Sequence, residues 1–95
     1  MNNKKELLTD LQFKNLGTLF NKCVIEHENQ INKWGIQTHT VFEWLAYATE
    51  ELGELSNAIS EYYYRDGKKS DIVNEAIQTA TLCLKIAEMH LKQKG

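Results

Sequence analysis

An all-α fold is what this sequence predicts: a bundle of three main helices completed by homo-oligomerisation. Three observations carry that expectation. Proline is absent from all 95 residues, which long uninterrupted helices permit and a loop-rich fold disfavours. Apolar residues recur at alternating steps of four and three, the spacing of an amphipathic helix. The third helical segment is apolar over most of its circumference and must be covered on more than one side.

The first helix is expected from about Asp10 to Trp34, after a polar, loosely docked segment over 1–9. Leu16, Phe20, Cys23, Val24, Ile31 and Trp34 give its inner face, with His27 on or near it. Gly17 weakens this helix by about 1 kcal/mol relative to alanine and marks a place where it can break. Gly35 suits the left-handed residue that closes a helix.

A short connection, Gly35 to His39, leads to the second helix. Thr40 and Glu43 have the capping-box spacing. Val41, Leu45, Ala48, Leu52, Leu55, Ile59 and Tyr62 then form one apolar seam. Centred near Leu52 and Ile59, that seam leaves Glu51 roughly 80° to its side and Glu54 about 60° further round. Asp66-Gly67 signals the turn that ends this helix. Ser70 or Asp71 is placed to cap the third helix, which runs to about Leu91. Its two stripes are Val73, Ile77, Ala80, Leu84, Ala87 and Leu91, and Ile72, Ala76, Cys83 and Ile86 with Thr79. Three helices cannot cover both, so a homodimer or larger assembly is expected.

The totals exclude several classes. One domain spans 1–95, with 42% hydrophobic and 25% charged residues, near the lower size limit for an unstapled core. A net charge of -2 gives no reason to expect a nucleic-acid surface. Lys4 and Lys5 precede no signal-peptide core, and no apolar run approaches the roughly 20 residues of a membrane span. Cys23 and Cys83 are too few for a disulfide framework or a zinc site. They read as buried free thiols, so the expected location is cytoplasmic.

The chemistry centres on Glu50, Glu51 and Glu54, which on spacing alone also fit a solvated acidic face. Glu75 and Gln78, one turn apart on the apolar third helix, repeat the spacing of Glu51 and Glu54. Two facing helices that each present such a pair make a cluster of hard oxygen donors, suited to Mg²⁺ or Mn²⁺. The competing reading has Glu75 in solvent and Gln78 in a core hydrogen bond. A di-iron bundle needs Glu-x-x-His, and no glutamate here has a histidine three residues on. Phosphate loops, nucleophile motifs and zinc patterns are missing. His27, His39 and His90 are scattered, and His39 alone lies in a loop near the acids.

Two stretches together resemble a known family. EELGEL (Glu50 to Leu55), followed downstream by NEAIQTA, is similar to the MazG-like all-α nucleoside triphosphate pyrophosphohydrolases, whose signature is Glu-Glu-x-x-Glu, a variable gap, then Glu-x-x-Asp. Upstream, KWGIQTH and the Trp44-Leu45 pair resemble a short phage and bacterial subgroup. The likeness covers about Glu26 to Glu88. It implies a dimeric or tetrameric helical bundle that binds Mg²⁺ and splits a nucleoside triphosphate into monophosphate and pyrophosphate. Glu51, Glu54 and Glu75 match metal ligands, and Glu50 matches the first acid of the motif. Gln78 stands where the wider family has aspartate, although the subgroup often has glutamine there. An amide is the weaker ligand and removes one negative charge.

That likeness gives each site residue an expected role. Glu50 or Glu54 accepts the proton of the attacking water. Glu51, Glu54, Glu75 and Gln78 hold the metal. Lys33, Arg65, Lys68 and Lys69 are the candidates for phosphate contact. Trp34, Gln37 and His39 offer an aromatic face, an amide and an imidazole to the base. The alternative function is a catalytically weak MazG-like helical dimer that binds nucleotide or a protein partner.

Overall fold

The computed structural model describes residues 14–92. Among them the chain forms three α-helices and no strand: α1 (Leu16–Trp34), α2 (Val41–Tyr64) and α3 (Lys69–Lys92). The loosely docked segment expected over 1–9 lies outside the described residues, as do 10–13 of the predicted first helix.

Each helix end has a local cause. α1 starts at Leu16, later than Asp10, behind a turn at Lys14 and Asn15. The Leu19 N–H donates to the Asn15 carbonyl at 2.9 Å, and the Asn15 side chain makes no capping bond. Gly17 therefore sits in the first turn and interrupts no helix interior. At the other end Gly35 adopts φ 77, and its N–H donates to the Ile31 carbonyl at 2.7 Å. A side chain there would be strained, so the predicted stop rests on glycine itself.

The capping box of α2 is complete. The Glu43 N–H donates to Thr40 Oγ1 at 3.1 Å, and the Thr40 N–H donates to Glu43 Oε1 at 2.8 Å. The Thr40 backbone N–H, then its hydroxyl, hold the Glu43 carboxyl below its usual range. At the C-terminal end the N–H groups of Arg65 and Gly67 both donate to the Glu61 carbonyl at 3.0 Å. A Cβ on Gly67 would lie 2.8 Å from the Glu61 carbonyl carbon and the Tyr62 nitrogen. Close approach of backbone is what requires glycine here. α3 begins at Lys69, so Ser70 and Asp71 are first-turn residues and not caps. Asp71 there still complements the positive end of the helix dipole.

α3 is the central element. α1 and α2 each pack on it and do not pack directly on one another. α2 and α3, joined by a short turn, form an antiparallel hairpin. Because among the described residues α3 is the only helix packed on α2, the burial pattern of α2 marks the contact face. Val41, Ala48, Leu55 and Tyr62 are buried or half-buried, whereas Leu45, Leu52 and Ile59 are exposed, Leu52 by 56%. The single seam expected on α2 is thus two, side by side. The face toward α3 centres near Leu55, which puts Glu51 about 40° from its centre, and Leu52 about 60° off on the other side. Glu51 lies on the packed face itself.

The resulting core is thin. Among the described residues only Cys23, Ala48 and Leu82 are buried apolar residues, with Thr81 buried at 3% exposure. The Thr81 hydroxyl donates to the Ile77 carbonyl at 2.7 Å, which satisfies it one turn back. Cys83 is exposed, against the expectation of a buried thiol. It lies on the side of α3 that faces an apolar groove shared with α1. No helix of the described residues is long and apolar enough to cross a membrane.

Gly17 in the first turn of α1 and Gly67 in the α2–α3 turn separate the effects of propensity and space. Gly67→Ala is expected to lower unfolding free energy by about 1–3 kcal/mol. Gly17→Ala, with nothing within 4 Å of the added carbon, should raise it by up to about 1 kcal/mol. Urea denaturation of both variants checks the pair, and similar shifts would contradict the turn geometry described.

Candidate functional site

The C-terminal half of α1 and the N-terminal half of α2 stand apart as two walls, with α3 as the floor between them. Together with the 35–40 connection they border a groove of about 1000 Å³. Its two ends differ in chemistry.

Glu50, Glu51 and Gln78 line the acidic end. Behind them Glu75 faces Glu51 across the α2–α3 contact, within hydrogen-bonding reach. Glu51 Oε2 and Glu75 Oε2 are both buried, and neither has a hydrogen-bond partner. With both groups ionised, two buried oxygens of like charge meet with nothing to offset them. The fold responds by holding the Glu51 carboxyl up to about 7. Burial is the largest cause, followed by the side-chain interaction with Glu75, then the charges of Glu75, Glu54 and Glu26. Nearby on α3, the Thr79 hydroxyl donates to the Glu75 carbonyl at 2.8 Å.

The donor set suits a hard divalent cation. Two orphaned carboxylate oxygens and the Gln78 amide oxygen are the ligand types Mg²⁺ and Mn²⁺ take, and so few protein donors leave positions for water and phosphate. Glu54 is exposed and acts on Glu51 through its charge. Among the described residues no group of three His, Cys, Asp or Glu side chains comes together to hold a metal ion.

The other end is aromatic. His39, Trp44 and Tyr47 meet edge to face, with ring centroids 4.8 Å apart for His39–Trp44, 5.1 Å for His39–Tyr47 and 6.0 Å for Trp44–Tyr47. His39 Nε2 lies 3.4 Å from Gln37 Oε1, and Nδ1 lies 3.9 Å from Glu43 Oε1. The Lys85 ammonium sits 5.2 Å from the centre of the Trp44 ring and donates to Gln30 Oε1. The Gln30 amide in turn donates to Glu26 Oε2 at 2.7 Å. Burial pulls the Lys85 ammonium below its usual range, against the charge of Glu26, which acts to raise it.

The sequence-derived set divides. Glu50, Glu51, Gln78, Lys33, Trp34, Gln37 and His39 all line the groove. Trp34 is 61% exposed with the Lys33 ammonium 4.8 Å over its ring, at the rim. Arg65 and Lys68 are not brought there. Arg65 pairs with Glu61 at 3.3 Å in the α2–α3 turn, about 21 Å along the helix axis from Glu51. Trp44, Lys85 and Gln30 are groove residues that sequence reasoning missed. A signal was present: Trp44 precedes Glu51 by seven residues and Lys85 follows Gln78 by seven, and a step of seven returns to nearly the same helix face.

The chain matches no protein-family model, no curated protein and no solved structure.

The Glu51 shift makes stability depend on pH. The unfolded carboxyl releases its proton near 4.5 and the folded one near 7, so between those values the folded state binds more protons. Its contribution is complete below about pH 4.5 and is lost as pH rises through 7. Without divalent cations, unfolding free energy should fall between pH 5 and 8 by on the order of 2 kcal/mol, allowing for solvent screening. Glu51→Gln should flatten that slope in denaturant titrations, and parallel curves for the two proteins would contradict the assignment.

Proposed function

We propose that the protein is a Mg²⁺-dependent nucleoside triphosphate pyrophosphohydrolase of the MazG-like all-α class, working as a homodimer or homotetramer. The observation that carries this reading is the pair of buried, partnerless oxygens on Glu51 and Glu75. A solvated acidic face would have no such pair, and a structural bundle gains nothing from it. The aromatic end of the same groove supplies a surface for a nucleobase. The charges agree with a metal-loaded substrate. Glu26, Glu50, Glu51 and Glu88 line the groove against Lys33 and Lys85, so a bare triphosphate would be repelled and one carrying cations accepted.

Glu51, Glu54, Glu75 and Gln78 would hold the metal, which when bound supplies charge neutralisation on the triphosphate and a more acidic water. The chain's own residues do the rest. Glu50, exposed at the acidic end, accepts the proton of a water whose oxygen attacks the α-phosphorus. The bond from that phosphorus to the bridging oxygen breaks, and pyrophosphate leaves with the electron pair. His39, Trp44 and Tyr47 hold the base and fix the α-phosphate relative to Glu50.

The assembly is supported by what one chain leaves open. Among the described residues Phe20, Val24, Leu45, Leu52 and Ile59 are large apolar side chains that one chain leaves exposed. A second groove, of about 570 Å³, is almost wholly apolar; Leu19, Phe20, Ile72, Val73 and Leu84 are among its walls. With the exposed α2 row Leu45, Leu52 and Ile59, this gives two apolar faces for partner helices to cover.

A second reading, a nucleotide-binding relative with little turnover, draws on Gln78 and on the open ligand set. Pyrophosphate release from a panel of nucleoside triphosphates, with Mg²⁺ or Mn²⁺, decides between them. Glu51→Gln is expected to reduce release about 100-fold or more, with the assembled state unchanged in sedimentation. Undiminished turnover in that variant would sink the enzymatic reading, and nucleotide binding without turnover in the parent protein would support the second.

A further inference from the structure

The base-binding end of the groove contains a cation that the catalytic reading does not use. Lys85 stands two helical turns from Gln78 on α3, as Trp44 stands two turns from Glu51 on α2, about 10 Å along each axis. The observed contact of Lys85 with Trp44 and of Glu51 with Glu75 therefore mark two levels of one groove. A nucleotide whose phosphates lie at the acidic level places its base at the level of Lys85.

We propose that Lys85 selects nucleobases that present a ring keto oxygen, such as hypoxanthine, guanine or uracil, over those that present an exocyclic amine there. The inference rests on the nucleotide reading of the groove and goes beyond it by naming the class of base. An ammonium has three donors and no acceptor, so its partner must accept. One donor is used on Gln30 Oε1 and the Trp44 face draws the cation toward the ring. These two contacts fix the ammonium, and donor capacity remains for a ligand.

Charge decides which acceptor. Glu26, through its bond to Gln30 and its field on Lys85, already balances the ammonium, and Glu88 lines the same end. A phosphate at that level would meet two carboxylates. A neutral oxygen on a flat ring meets neither objection, and the edges and faces of His39, Trp44 and Tyr47 accept such a ring. An amino group in the same place would set donor against donor and leave a half-buried ammonium without its third partner.

The test compares pairs that exchange the keto oxygen for an amino group, with the neighbouring ring nitrogen turning from N–H donor to acceptor: inosine against adenosine triphosphate and uridine against cytidine triphosphate. Parent protein should favour the keto member by about 10- to 100-fold in kcat/KM. Lys85→Met should narrow that preference toward unity, chiefly by slowing the keto members. Lys85→Arg, which keeps the donors, should retain part of it. An equal loss on all four substrates would overturn the proposal in favour of a phosphate contact or a structural role, as would a parent preference for amino bases. Binding of inosine and adenosine monophosphates, followed without metal by tryptophan fluorescence, separates this from failure of the hydrolytic reading. A keto preference in binding that Lys85→Met removes upholds the subsite even where no turnover is found. Indifference of the parent protein to the two monophosphates, in a protein that also turns over neither pair selectively, overturns it. Circular dichroism melts of each variant confirm folding before comparison.

Discussion

Two carboxyl groups are pressed together where α2 crosses α3, and most of what this chain can do follows from that. The α2–α3 contact is the main packing of the molecule. One turn from Glu51 it includes Ala48, a small buried side chain that lets the helices approach closely. The same approach that buries Ala48 takes Glu51 Oε2 and Glu75 Oε2 out of water. The fold cannot relax the pair without opening its own centre. Relief comes from a proton, which gives the carboxyl its value near 7, or from a cation. On the proposed function, proton and metal compete for one position, and the residue that costs stability when bare is the one that would bind the metal.

The rest of the groove is organised along the direction that this contact sets. Antiparallel helices with matching seven-residue steps put hard oxygen donors at one level and aromatic rings with one fixed ammonium at the next. A ligand that satisfies both must be anionic and cation-loaded at one end, flat and hydrogen-bond-accepting at the other. A nucleotide has that shape. The apolar surfaces face away from the groove, on the outer row of α2 and between α1 and α3, so partner helices can cover them while the groove stays open.

Local signals were the legible part of the sequence. The Thr40–Glu43 capping box, the stop at Gly35 and the turn at Gly67 each depend on a few neighbouring atoms, and each is where its residues place it. Position around a helix was harder. A period of 3.6 cannot separate one wide seam from two adjoining ones, so Leu45, Leu52 and Ile59 were merged with the α3-facing residues, and Glu51 was put at the margin of a face it actually occupies. Charge in a loop was the poorest guide. Arg65 and Lys68 looked available for phosphate, but the length of α2 carries them to the opposite end of the molecule. Lys85 was overlooked because a lone lysine on an apolar helix has meaning only once Trp44 and Gln30 are seen around it. The likeness of EELGEL and KWGIQTH to MazG-like proteins supplied an expectation of function that matching to known proteins does not reproduce, so the physical case rests on the Glu51–Glu75 pair.

That pair makes a demand few other arrangements would. The direct measurement is a set of thermal melts at pH 8 of the parent protein and Glu51→Gln, each with and without Mn²⁺. Without metal the variant should melt higher, because removing one charge relieves the repulsion at the centre of the fold. With Mn²⁺ the parent should gain stability by mass action and overtake it, and the variant should gain little. A variant that is the less stable of the two without metal, or equal stabilisation of both by Mn²⁺, would contradict the account.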